Sequence, residues 1–294
     1  MKSFLTAIFQ FLFFWIIACL FIGLTNFLII KVELSSISPH RYMIMGDSHM
    51  EQGLNTKYIE SSVNYALPAE PYPITYLKAK KLFEYAKPNT LLLGFSYHNI
   101  SAYNDEKFSN RHADEMFRRL YPLVYFEKVS GIKYSYKDYL EIFLKHQFLY
   151  PHKNHYKFLS NQVKQFEQNG FNTDELNATI DRHYFKNDRE LDISEISVNY
   201  LDSIINMCSN KRVEIILVGT PLRKEYLKRI PKHIIDKYST LKKNFADAGI
   251  CVIDSTNAIF PNTYYRDFDH LNSNGAKFFT RQIEGVLRHD SKLP

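Results

Sequence analysis

Residues 4–30, FLTAIFQFLFFWIIACLFIGLTNFLII, carry no charged side chain. The run of about 27 positions exceeds the roughly 20 that a helix needs to cross the hydrocarbon layer of a bilayer, so it predicts a single transmembrane helix. Lys2 and Lys31 flank it almost evenly, which gives only a weak vote on orientation. A span with so short a leading tail acts as an uncleaved signal and sends the following chain outward, to the periplasm or cell surface. Two alternatives stay open. One is cleavage by a signal peptidase, for which the run is longer than the usual apolar stretch of about 7–15 residues. The other is lipidation of Cys19 in Ile16-Ile17-Ala18-Cys19, although residues 20–30 stay apolar where a polar tether would follow.

A polar connector, residues 31–40, leads into a different pattern. Residues 41–45, 62–67, 90–95, 213–218 and 250–253 are short, near-continuous apolar runs, while 74–86, 195–207, 234–248 and 276–287 repeat apolar positions at helical spacing. Asn272 or Ser273 is placed to cap the last of these helices. Unbroken apolar strands alternating with helices predict an α/β domain over residues 41–294, with a mostly parallel sheet covered on both faces. Functional groups then belong beyond the C-terminal ends of the strands. The rhythm breaks at residues 101–192, read as one long insertion with helical pieces at 113–120, 136–148 and 156–168. Its aromatics, Tyr134, Tyr136, Tyr139, Phe148, Tyr150 and Tyr156, form either the insertion's own small core or a set of faces for sugar rings.

Composition narrows the classes. The 294 residues carry a net charge of +6 and contain 10 Gly, 11 Pro and 15% aromatics, which excludes disordered and collagen-like chains. No Lys/Arg block tracks a phosphate backbone, so nucleic acid is not expected as a partner. Cys208 and Cys251 could pair in an oxidising compartment, but both adjoin apolar runs and read better as buried thiols. No Cys/His spacing suggests a metal, and His152 and His155 lack carboxylate company. No metal or other cofactor is expected.

Three polar clusters fall at the ends of these elements. Gly46-Asp47-Ser48-His49 follows the first strand, Gly94-Phe95-Ser96-Tyr97-His98-Asn99 closes the third, and Asp267-Phe268-Asp269-His270 precedes the last helix. A hydroxyl nucleophile needs a base within hydrogen-bond reach, a carboxylate to orient that base, and donors for the developing oxyanion. Ser48, His270 and Asp267 can fill the first three roles. Asp47 is expected to bond the turn that carries Ser48. His49 is expected to support the site or touch substrate. Asp267 is preferred to Asp269 as the partner of His270, because if this segment is helical, sequence neighbours point apart while residues three apart face each other.

Gly46-Asp47-Ser48 after the first strand and Asp267-x-x-His270 near the C-terminus together resemble the SGNH, or GDSL-type, hydrolase superfamily, over about residues 41–289 outside the insertion. The resemblance implies a three-layer α/β/α fold with Ser48 as nucleophile, His270 as base and Asp267 as its carboxylate. It also implies oxyanion donors where this chain departs from the family pattern. Ala66 or its neighbours stand where a Gly is usual, and Ser96 stands where Gly-x-Asn has its Asn, with Ser96, His98 or Asn99 as replacements. The function expected is a membrane-anchored, serine-dependent acyl ester hydrolase or O-acyltransferase. It would act on an extracytoplasmic glycan, with a separate membrane protein delivering the acyl group if the reaction is transfer. The alternatives are a degenerate glycan-binding or assembly subunit and, third, a lipid esterase.

Overall fold

The computed structural model describes residues 2–109, 112–121, 123, 131, 135–150, 166–167 and 170–290. The chain forms two compact units, one of residues 1–38 with 107–157, the other of residues 39–106 with 158–294.

In the first unit, α1 runs from Lys2 to Ser35. It is long and apolar enough to cross a membrane, with a mean hydropathy of 2.5 in its most apolar stretch. The helix does not stop where the apolar run ends but carries on through the first part of the expected connector. Its buried residues Gly23, Asn26, Ile30 and Leu34 are spaced three, four and four apart and so lie on one stripe. Residues 2–18 are exposed on every side.

The second unit holds a sheet of five parallel strands, β1 (Tyr42–Met45), β2 (Ser62–Asn64), β3 (Thr90–Gly94), β6 (Glu214–Gly219) and β7 (Cys251–Asp254), in the order β2-β1-β3-β6-β7. All residues of β1 and β3 are buried, as unbroken apolar strands covered on two faces should be. Tyr42, Ile44, Leu92, Ile216 and Val218 join one core with Met50 of α2 (Ser48–Gly53) and with Phe279, Ile283 and Leu287 of α11 (Ser273–Asp290). The alternate residues Met43, Met45, Leu91, Leu93 and Leu217 are buried as well. Helix α3 (Tyr72–Tyr85) packs on α8 (Glu195–Asn210), α8 packs on β6, and α10 (Lys232–Asp247) packs on β7. This is the α/β fold with a parallel sheet that the alternating pattern predicts. Strand order reverses between β1 and β3, the place where such sheets open a crevice beyond their carboxyl ends.

The stretch 101–192 divides between the units. Helix α4 (Tyr103–Glu106), α7 (Thr173–Tyr184) and the hairpin β4 (Phe185–Lys186) with β5 (Arg189–Glu190) belong to the second. Helices α5 (Ala113–Leu120) and α6 (Tyr136–Leu144) belong to the first, and α6 continues as a π-helical turn, Lys145–Leu149. Met116, Phe117, Leu120, Tyr121, Tyr139 and Phe143 are buried. Phe117 meets Tyr139 edge-on at 5.8 Å, and Tyr121 meets Phe143 at 5.5 Å. Tyr139 is thus core, whereas Tyr136 and Tyr150 are exposed. Tyr134, Tyr156, His152, His155 and most of the expected helix 156–168 lie outside the described residues. Cys208 and Cys251 form no disulfide; Cys208 is buried and Cys251 only partly so, and burial pushes the Cys208 thiol up to about 12.

Candidate active site

The turn after β1 is built for a close approach. Gly46 has φ +136°, where a side chain would be strained, and a Cβ on it would come within 2.9 Å of Met50 Cγ. A Cβ on Gly94, at the end of the neighbouring strand, would come within 2.6 Å of the same atom. Two glycines therefore let Met50 sit over the strand ends, so that α2 starts directly after β1. Asp47 is its N-cap: Oδ1 accepts the His49 amide at 2.9 Å. Ser48 is the first residue of the helix.

The second arm comes from the loop before α11. Residues 265–271 are not helical, the condition on which Asp267 is preferred to Asp269; they form a bent loop closed by a bridge between Tyr265 and Leu271. Asp267 holds the bend, because its Oδ1 accepts the amides of Asp269 at 3.1 Å and His270 at 2.8 Å. Asn272 ties the loop to α11. Its Nδ2 donates to the carbonyls of Thr263 and Tyr265, and its Oδ1 accepts the amides of Asn274 and Gly275.

These two arms bring Ser48, His270 and Asp267 together. His270 Nδ1 lies 3.0 and 3.1 Å from the two Asp267 oxygens, and Nε2 lies 2.8 Å from Ser48 Oγ. In the neutral imidazole, with the Nδ1 proton donated to a carboxylate, Nε2 accepts from the serine hydroxyl. Asp269 does not point away from His270, as it would on a helix. It is buried, with Oδ1 3.3 Å from His270 Nδ1 and Oδ2 3.3 Å from His49 Nε2. His49 Nδ1 reaches Thr220 Oγ1, beyond β6, at 3.2 Å. The imidazole of His270 thus faces two carboxylates. Burial works against its charge, but Asp269 and then Asp267 raise its pKa to about 10. Burial would lift the Asp269 carboxyl, yet His270 and His49 hold it well below the usual carboxylate range.

The remaining expected residues gather on Asp47. Its Oδ2 takes His98 Nε2 at 2.5 Å and the Asn99 amide at 2.7 Å, while Asn99 Oδ1 accepts the Ser96 amide at 2.8 Å. Burial opposes ionisation of Asp47, but His98 and His49 keep its pKa far below normal. Asp47 therefore does more than hold its turn, since it fastens the β3 loop to the β1 loop. The Ala66 amide donates to Asn64 Oδ1 at 2.9 Å, and Asn64 Nδ2 holds the carbonyls of Met50 and Leu54. The Ser96 hydroxyl is buried without a hydrogen-bond partner.

The residue types in sequence gave no sign of a row of imidazoles. His270, His49, His98 and His183 follow one another with ring centroids 4.7, 4.2 and 5.1 Å apart. His183 ends the row on the Tyr226 hydroxyl at 2.7 Å, and burial, then His98, hold its pKa well below normal. Arg223 was also missed. It is buried against Phe171 and Phe268, and its amide donates to the Phe268 carbonyl within the His270 loop. Thr220 could have been found, since Gly219-Thr220-Pro221 ends a predicted strand at the same sheet edge. Among the described residues, His49, Asp269 and His270 bring ligating atoms within 4.8 Å of one another. A cation there would compete for the nitrogens that now face carboxylates.

A protein-family model matches residues 185–292, which include Asp267 and His270. No curated protein matches the chain. Among solved structures it is similar to a GDSL-like lipase from Bacteroides thetaiotaomicron, with 9% identity, TM-score 0.45, and 90% of this chain and 98% of that one covered. It is also similar to a lipase/acylhydrolase from Enterococcus faecalis, with 13% identity, TM-score 0.40, and 85% and 96% covered. In its parallel sheet, its Gly46-Asp47-Ser48 turn and its Asp267-x-x-His270 loop, the chain resembles the GDSL-type hydrolases.

Proposed function

We propose that this protein is a membrane-anchored, serine-dependent acyl ester hydrolase or O-acyltransferase that acts outside the cytoplasm on an acylated glycan. The observation that carries the reading is the unbroken run of hydrogen bonds from Ser48 Oγ through His270 to Asp267. Ser48 Oγ attacks the ester carbonyl while His270 Nε2 takes its proton. The carbonyl oxygen gains the charge, and the Ser48 amide, in the first turn of α2 and without a partner inside the helix, can donate to it. Collapse expels the alcohol, protonated by His270, and leaves an acyl-serine. Water then releases the acid, or a sugar hydroxyl takes the acyl group. The apolar helix α1 supports attachment to a membrane, and the glycan rests on the expected extracytoplasmic location.

The test is turnover of short-chain acyl esters by the full chain in detergent, with and without acetylated oligosaccharides as competitors. Activity should fall by at least about 10³-fold in Ser48→Ala and in His270→Ala. Equal activity in wild type and Ser48→Ala would refute the reading. A second reading, a glycan-binding subunit without turnover, is favoured by one observation. Of the expected oxyanion donors, His98, Asn99 and the Ala66 amide are engaged with Asp47 or Asn64, while the Ser96 hydroxyl has no hydrogen-bond partner. Glycan affinity unchanged in Ser48→Ala, with no esterase activity in either form, would establish it.

A further inference from the structure

Asn26 is a polar side chain inside an apolar helix, and it is almost wholly buried. A polar group at that depth is expensive unless it is satisfied, and such residues in a span usually mark a specific contact. Here its Nδ2 donates to the carbonyls of His146 at 3.1 Å, Gln147 at 2.9 Å and Tyr150 at 2.8 Å. The contact is reciprocal. Gln147 Nε2 donates to the Gly23 carbonyl at 2.7 Å, one turn back along α1, and Gln147 Oε1 accepts from the Tyr121 hydroxyl at 2.7 Å. A Cβ on Gly23 would come within 2.6 Å of the Phe148 ring. The π-helical turn 145–149 is therefore keyed to one stretch of α1, residues 23–26.

The position of that stretch follows from length. The charge-free run 4–30 is about 40 Å long as a helix, and a bilayer core is about 30 Å thick. Residues 4–21, exposed except for the partly buried Cys19, span about 27 Å and fill that core by themselves. The remainder, residues 22–30, is about 14 Å long and contains the stretch that the π-helical turn grips. Next to it the same segment exposes Tyr136 (44%), Leu144 (43%), Leu149 (43%) and Tyr150 (52%). Tyrosines beside apolar side chains are what the headgroup boundary of a bilayer accommodates.

Resting on the reading of α1 as a membrane anchor, we propose that residues 136–150 form an interfacial collar, keyed to α1 through Asn26 and Gln147, that lays Leu144, Leu149 and Tyr150 into the lipid headgroup boundary. The occupant of this face is the bilayer itself. On this account α1 is a structural part of the unit and stays on the mature protein.

The sequence contains one tryptophan, Trp15, in the uncovered part of α1, so two single-tryptophan chains separate the claims. The wild type reports on α1, and Trp15→Phe/Leu149→Trp reports on the collar. Both are reconstituted in phosphatidylcholine vesicles without bromine, with bromine near the headgroup end of the acyl chains, or with bromine near their methyl end. Loss of emission from Trp15 to the deep bromine and from the tryptophan at 149 to the shallow bromine is expected. Quenching of Trp15 alone, with residue 149 open to aqueous iodide, would overturn the collar while leaving the anchor. Quenching of neither would overturn the anchor reading. Where the substitution at 149 disturbs folding, hydrogen exchange of the unaltered chain decides. Slower exchange at amides 144–150 in vesicles than in detergent supports the collar, and equal rates refute it. Asn26→Leu should weaken that protection.

Discussion

His270 faces two carboxylates where a single one would orient it, and this has a measurable consequence for the pH dependence of turnover. A base must be neutral to take the Ser48 proton, and the ordinary imidazole pKa is 6.5. Raised to about 10 by Asp269 and Asp267, His270 is mostly protonated at pH 7. The sign follows directly: the active fraction grows about tenfold for each pH unit below the folded pKa and levels off only above it. kcat/KM should therefore climb from pH 7 into the alkaline range. Asp269→Asn keeps the shape but removes a charge whose oxygen lies 3.3 Å from Nδ1. An opposite charge that close moves a pKa by about 1–3 units, so the midpoint should fall by that amount toward neutrality. Activity at pH 7 should then rise, provided His49, which shares Asp269, keeps its place. The assay is kcat/KM for a short-chain ester between pH 5 and about 10.5, in wild type and variant. A wild-type profile already flat above pH 7, or an unmoved midpoint in the variant, would refute the reasoning.

Other outcomes follow from single residues. Lys78 and Glu70 form a fully buried ion pair at 2.5 Å, and Lys78 also holds the Tyr65 carbonyl next to Ala66. Lys78→Met strands the Glu70 charge at a cost of about 3–5 kcal/mol, a fall of roughly 6–20 °C in Tm at about 2–4 °C per kcal/mol. Thermal unfolding should show Glu70→Leu/Lys78→Met recovering much of that loss. Gly46→Ala must place a Cβ against Met50 at φ +136°; it should reduce turnover by shifting α2, with Tm read beside kcat to separate displacement from unfolding. Asn99→Ala should lower kcat by about 10²–10³-fold if the amide turns to the oxyanion during turnover, and should lower only Tm if its sole task is to hold Asp47. Zn²⁺ should inhibit by engaging His49, Asp269 and His270, with recovery on adding EDTA; insensitivity to Zn²⁺ would refute this.

The sheet was legible because short, near-unbroken apolar runs such as Tyr42–Met45, too short for helices and bounded by turn residues, alternate with stretches at helical spacing. Ser48, Asp267 and His270 were legible because each falls at the end of such a run or just before a capped helix. What the pattern could not carry was tertiary. Asp267 and Asp269 look alike in a string, and only the bend made by Asp267 with its own backbone turns both toward one imidazole. The aromatic stretch after Ser101 gave no sign that part of it would fold with α1. That pairing rests on Asn26 and Gln147, which are 121 positions apart. Nor could spacing show that His98 and Asn99 would turn to Asp47, since that choice depends on a buried carboxylate on a neighbouring strand end.

The central claim is that Ser48 is a nucleophile activated by His270. Its most direct measurement is the intact mass of the full chain after exposure to a fluorophosphonate, for wild type, Ser48→Ala and His270→Ala. One equivalent of label on wild type and none on either variant is the predicted result. A folded wild-type chain that takes up no label, or one labelled equally in Ser48→Ala, would contradict the account.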